Sequence, residues 1–147
     1  KETLFEHRYL TAQQGIGAGT FAKMAATTSI TSIGNMWDST NTRLVVPFKC
    51  FVDIWLQSST TRANEPSATG GAKIGAIGSL VTMFQVTSTS SDARVTGPSP
   101  YINRHAVDTA GFVVEPWFMN NDTDQTVYWE GGTRATNQFA MTVTRRY

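Results

Sequence analysis

A chain of 147 residues has the size of one domain and buries roughly two thirds of its unfolded surface on folding, so one core suffices without covalent staples. Charged residues make up only 16%, aromatics reach 11%, and Thr and Ser abound, which disfavours long surface helices and predicts an all-β fold of short strands and polar loops. Twelve Lys and Arg against eleven Asp and Glu leave a net charge of +1, too weak a field to steer nucleic acid or an anionic bilayer. Cys50 is the one cysteine, which excludes an intrachain disulfide. No apolar run approaches the ~20 residues of a spanning helix, so membrane insertion is not expected. The start K-E-T-L-F-E-H-R has neither a signal-peptide layout nor an initiator Met, and the sequence reads as a piece of a longer or processed chain, a domain covering 1–147.

In chain order, L-F-E-H-R-Y-L at 4–10 fits a first strand or a short helix, its alternation being too brief to separate the two, and is read as an edge strand. Gly15, Gly17 and Gly19 lie in a polar run that lacks the spacing, preceding strand and following helix of a dinucleotide loop, and read as a flexible loop. A short strand is expected at Phe21–Met24, with an apolar contact at Ile30 or Ile33. The cluster G-N-M-W-D-S-T-N at 34–41 is turn-forming, with Trp37 pinning it to the body, and L-V-V leads into a bend at Pro47.

Pro47 to Leu56 is the organising stretch. Phe48, Cys50, Val52, Ile54 and Leu56 fall in one register of a period-2 pattern, the mark of a core strand. The opposite register, Lys49, Phe51, Asp53, Trp55 and Gln57, mixes charge with large aromatics and reads as a surface that meets something. Residues 58–72 read as a long exposed loop, 74–87 as a second strong strand with a bulge or tight contact at Gly75 and Gly78, and 88–101 as an ordered protruding turn. The last third predicts a strand at 110–119, a turn at 120–125, a strand at T-V-Y-W-E, a hairpin-like G-G-T-R-A-T connection, and a closing strand N-Q-F-A-M-T-V-T-R-R-Y with Phe139, Met141 and Val143 on its inner face. About 8–10 antiparallel strands with irregular loops fit a two-sheet jelly-roll sandwich better than a meander barrel.

The order of Trp37-Asp38, the strand Leu44–Val46, the segment Pro47-Phe48-Lys49-Cys50-Phe51-Val52 and the closing N-Q-F-A-M-T-V-T resembles the C1q and tumour-necrosis-factor jelly rolls, in the version found at viral and phage fibre tips. Cys50 stands where that family's pattern has glycine and Val52 where it has tyrosine. The resemblance implies a tight homotrimer with aromatics of one sheet near the threefold axis. It gives Phe51, Trp55, Trp117, Tyr128 and Trp129 a role at a subunit interface, because so many large rings are hard to house in one core of this size. It also implies a virion-surface attachment or decoration role. Two alternatives are a carbohydrate-binding sandwich module and a jelly-roll or protruding domain of an icosahedral coat protein.

No catalytic constellation is legible. A hydrolytic nucleophile needs a base beside it, and the two histidines, His7 and His105, sit in generic settings, His105 with Asp108 three residues on. Cys50 lies in the apolar register and reads as a packed, inert thiol. Asp53, Glu115 and Glu130 form no recognisable carboxylate pair, and Asp53 is expected to pair with Lys49 or an arginine. No cofactor is expected; Asp122 and Asp124 offer Ca²⁺ a weak set of oxygens in what reads first as an Asx-rich turn. Loops bearing Arg62 and Asn64, Arg94 with Tyr101, Asn103 and Arg104, and Arg134 form the expected recognition surface for a host protein or glycan.

Overall fold

Alternating burial along the strands sorts the chain into two facing antiparallel sheets and a smaller third one. The computed structural model describes 2–57, 59–61, 68–76, 79–88, 94–96, 101–132 and 137–147; for 57, 59–61, 68–72, 76, 79–88, 94–96 and 101–103 the backbone alone is described. Fifteen strands occur among these residues: β1 (Thr3–Leu10), β2 (Gln14–Ile16), β3 (Phe21–Lys23), β4 (Thr27–Ile33), β5 (Trp37–Asp38), β6 (Arg43–Val46), β7 (Cys50–Gln57), β8 (Ser59–Thr61), β9 (Ala68–Ala76), β10 (Ser79–Ser88), β11 (Arg94–Thr96), β12 (Tyr101–Val107), β13 (Phe112–Asn120), β14 (Val127–Trp129) and β15 (Gln138–Arg145). A five-stranded sheet runs β12-β7-β15-β1-β4. A six-stranded sheet runs β10-β9-β13-β6-β5, with β3 also on β13, and β11-β8-β14-β2 make the third.

The organising stretch behaves as its pattern predicts. Cys50, Val52, Ile54 and Leu56 are buried, while Phe51, Asp53 and Trp55 are half-buried on the other face. β15 lies directly beside β7, with Phe139 opposite Leu56, Met141 opposite Ile54 and Val143 opposite Val52, so two pure apolar faces form one continuous inner surface. Leu4, Leu10 and Val107 extend it, and Leu44, Val46, Ile74, Val114 and Phe118 come from the facing sheet. At about 25 cal/mol per Å² this apolar burial is the main favourable contribution to folding. Pro116 is tolerated inside β13 because its carbonyl accepts from Met24 N at 3.0 Å on the side where β6 pairing stops at Val114 and β3 pairing starts at Trp117; the missing N–H falls at that break.

Several expectations change. β1 is not an edge strand, since it pairs β15 on one side and β4 on the other. The inward Glu6 and Arg8 that interrupt its apolar register pair with each other at 2.8 Å rather than marking a sheet edge. Part of the glycine run forms β2, and the supposed loop 58–72 contains β8 and the first half of β9. The predicted strand 74–87 is two strands turning back on each other, with Ala76 opposite Ser79. β11 and β12 lie where a turn and an unassigned segment were expected; β14 and β15 belong to different sheets rather than pairing with each other, and 133–136 of the G-G-T-R-A-T connection lie outside the described residues. Of the two candidate apolar contacts, Ile30 is half-buried and Ile33 is 55% exposed. Polar Thr- and Ser-rich strands held by backbone pairing leave no apolar signal to read, which accounts for most of these differences.

Candidate functional site

The outward face of the five-stranded sheet gathers aromatic residues from β1 and β7 around small residues of β15. Across the sheet, Trp55 stands opposite Ala140, which stands opposite His7; one step along, Asp53, Thr142, Phe5 and Ile33 form the next row. Because Ala140 contributes only a methyl group, the rings of Trp55 and His7 lean across it and meet edge to face, 5.8 Å between centroids. Phe5 continues the row, its ring 6.2 Å from that of His7. The His7 Nε2–H tautomer donates to Gln138 Oε1 at 2.8 Å, fixing the imidazole. Phe5, His7, Tyr9, Phe51 and Trp55 all keep part of their surface in solvent, and Ile33 adds an exposed apolar side chain at the rim.

At the β12 edge the face turns cationic. The pairing of β12 with β7 shifts register between Ile102 and His105, and Arg104 in that bulge has φ 54°, the left-handed region. Its backbone N–H is donated to Asp53 Oδ1 at 2.9 Å, which holds the bulge. The Arg104 guanidinium lies 4.1 Å from the Phe51 ring centroid and that of Arg146 lies 5.1 Å from it. Arg146 in turn donates to Asp108 Oδ1 and, at 3.0 Å, to the Val107 carbonyl. Asp108 is thus engaged by an arginine, while His105 is half-buried on β12.

The five rings expected at one interface are spread over the molecule. Phe51 and Trp55 are on the face just described. Trp117 is on the outer face of the six-stranded sheet, Tyr128 is 43% exposed on the third sheet, and Trp129 is fully buried. Trp129 stacks on Phe118 with centroids 4.8 Å apart inside its own chain, so it offers no surface to a partner. Phe5, His7 and Tyr9 were missed by sequence reasoning; their signal, the 4–10 alternation, becomes readable only once β1 is known to lie beside β15.

Of the expected recognition residues, Arg104 is exposed and clamped as above. Arg94, Tyr101 and Asn103 are on described strands by backbone only, and Arg62, Asn64 and Arg134 lie outside the described residues. Burial pushes the Cys50 thiol up to about 11, leaving it protonated and inert at neutral pH. Glu115 is bonded to Lys23 at 2.7 Å and to the Trp117 indole at 3.1 Å. The 120–125 turn is closed by Asn120, whose side chain donates to the carbonyls of Ile16 and Gln125 and accepts from Asp122 N. Among the described residues no three His, Cys, Asp or Glu side chains gather as a metal site.

No protein-family profile and no curated protein sequence matches the chain. Solved structures do. The Eiger TNF of S. frugiperda superposes with a TM-score of 0.69 at 9% identity, covering 99% of this chain and 94% of that one. Murine APRIL gives 0.68 at 8% identity over 97% and 99%. The fold is that of the tumour-necrosis-factor and C1q jelly rolls. The globular domain of zebrafish complement 1qA covers both chains completely, with a TM-score of 0.55 at 8% identity. In this TNF/C1q-type jelly roll the aromatic face therefore belongs to a two-sheet framework matched over its whole length, although hardly any side chain is shared.

Proposed function

We propose that this chain is a non-enzymatic recognition domain that works as a homotrimer, with the outward face of the five-stranded sheet as its subunit interface. The observation that carries the reading is the ring row Phe5–His7–Trp55 on that face, accompanied by Tyr9, Phe51 and the exposed Ile33. A strand face bearing this many partly wetted rings gains by burying them against another copy, and aromatic clusters are what subunit interfaces favour. A closed ring of identical subunits satisfies every such face at once. The TNF/C1q fold and the motif order around Trp37-Asp38 and Pro47–Val52 support the threefold form and a setting outside the cell, on a virion surface, where the domain contacts a host protein or glycan.

Light scattering tests the assembly directly. A mass of three chains at micromolar concentration is expected, and Trp55→Asp should reduce it to one. A wild-type protein that stays monomeric at that concentration overturns the reading.

A further inference from the structure

On the opposite side of the sandwich, the outer face of the six-stranded sheet holds a second aromatic cluster that the trimer reading does not use. The Phe21 and Trp117 rings lie 5.5 Å apart, and the Lys73 ammonium sits against both, 4.6 Å from the Phe21 centroid and 3.7 Å from that of Trp117. Glu115 is opposite Lys73 in the β13–β9 register, yet its carboxylate is committed elsewhere, accepting from Lys23 Nζ at 2.7 Å and from Trp117 Nε1 at 3.1 Å. Lys23 is also tied to the Asn41 carbonyl at 2.6 Å. Among the described residues, Lys73 therefore has rings against it but no hydrogen bond or ion pair. Two ammonium groups against one carboxylate leave the cluster one positive charge in excess.

The remaining features make this a prepared surface rather than a chance contact. The Trp117 indole is fixed by its bond to the nearly buried Glu115, which is itself fixed by Lys23. Gly71 is the residue opposite Trp117 on β9 and Gly70 the one opposite Phe118, so the strand beside the indole contributes no side chain at that level. Phe21, on the three-residue strand β3, is 55% exposed. A shelf made by the exposed Phe21 ring and the indole tilted 50° from it, with the ammonium lying over both rings, matches a sugar ring bearing an acidic substituent: the C–H face of the sugar stacks on the exposed Phe21 ring, and the ammonium makes charge-assisted hydrogen bonds to the acid group. The shelf involves too few side chains for a stable protein interface, and the chain's net charge of +1 is too weak for a nucleic acid.

We infer that Phe21, Lys73 and Trp117 form a binding site for an acidic saccharide, with Lys73 receiving its carboxylate or sulfate group. The site lies on the other sheet from the proposed subunit interface and stands or falls independently of it.

Titration calorimetry on the full chain tests the site with 3′-sialyllactose as the carboxylate probe, a heparin-derived tetrasaccharide as the sulfate probe, and lactose as the neutral control. At least one acidic probe should bind about tenfold or more tighter than lactose, the sulfate or carboxylate arm showing which acid is preferred. Lys73→Gln should remove that difference and Phe21→Ala should weaken both acidic and neutral binding, while Lys49→Gln, at an exposed position elsewhere, leaves affinity unchanged. Light scattering on the same samples separates the two readings, since these variants should keep the wild-type mass. Acidic saccharides that bind no better than lactose, or binding that survives both Lys73→Gln and Phe21→Ala, overturns the assignment. A poly-glutamate peptide bound through Lys73 as tightly as the saccharides overturns the ligand class.

Discussion

His7 and Trp55 touch although the whole of β15 runs between their strands, and what permits it is the methyl side chain of Ala140, the residue opposite both. Neighbouring strands are about 4.8 Å apart, so two rings on second-neighbour strands meet only above a small residue. Thr142 and Thr144 continue the low ridge of β15, with Phe5 and Thr3 of β1 on one side and Asp53 and Phe51 of β7 on the other. The aromatic face is thus a product of register: β1, β7 and β15 must pair as they do for the rings to form one surface.

Enlarging Ala140 tests this arrangement. In Ala140→Leu the added branch wedges between His7 and Trp55 on an outward face, so the protomer should fold with little change in its circular dichroism, while the mass by light scattering falls from three chains towards one. Ala140→Ser, which adds one small atom, should assemble normally. A trimer that tolerates leucine would show that these rings lie away from the subunit contact.

On the inward face of β1, Glu6 is fully buried and bonds Arg8 at 2.8 Å and the Ser32 hydroxyl at 2.5 Å. Arg8 also reaches Thr27 and lies 4.3 Å from the Trp37 ring centroid, tying β1 to β4 and β5. Removing one member of such a pair strands a charge away from water, so Glu6→Ala and Arg8→Ala should each cost roughly 3–5 kcal/mol in urea denaturation. The double variant should cost clearly less than the sum of the two; strict additivity would show that the pair is not coupled.

The parts of the fold written in apolar alternation were legible beforehand: Cys50–Leu56 and Phe139–Val143 face the core residue by residue as their pattern requires. What stayed hidden is physical rather than accidental. β8, β12 and the first half of β9 are held by backbone ladders on polar or glycine-bearing sequence, and period-2 hydrophobicity carries no record of them. The candidate site was half legible, since Phe51 and Trp55 announce a mixed face, whereas the share of β1 depends on a partner 131 residues away in sequence, as the His7–Gln138 bond shows. Trp129 misled for a related reason: its neighbour Tyr128 is exposed, and nothing local says which of the two rings turns inward.

Acid should loosen the Trp37–Arg43 turn first. Asp38 is held below the usual carboxylate range chiefly by the Asn41 side chain, with the Asn41 backbone N–H and Arg43 assisting against the opposing effect of desolvation. A depressed folded-state pKa means that this stabilisation is present above the unfolded carboxylate's pKa of about 4 and is lost as pH falls through the lower folded value. Asp38→Asn should therefore be less stable than wild type at neutral pH, with the gap closing at acid pH. Parallel acid limbs for the two proteins would show that Asp38 contributes nothing through its charge.

The alkaline limb isolates Cys50. Its thiol has a folded-state pKa raised from 9.0 to about 11, first by burial and against a small opposing effect of Arg146, so the unfolded chain loses the proton before the folded one does. The sign follows: the contribution is complete below pH 9 and is lost as pH rises towards the folded value of about 11. Cys50→Ala removes this titration while leaving lysines and tyrosines in place, so the difference between wild-type and variant stability should be constant up to pH 9 and then shrink, at the expense of the wild type. The native thiol should also resist a disulfide-exchange reagent at neutral pH and react fully once the chain is unfolded in guanidinium. Rapid labelling of the native protein would mean that β7 opens far more readily than a strand at the centre of this core should.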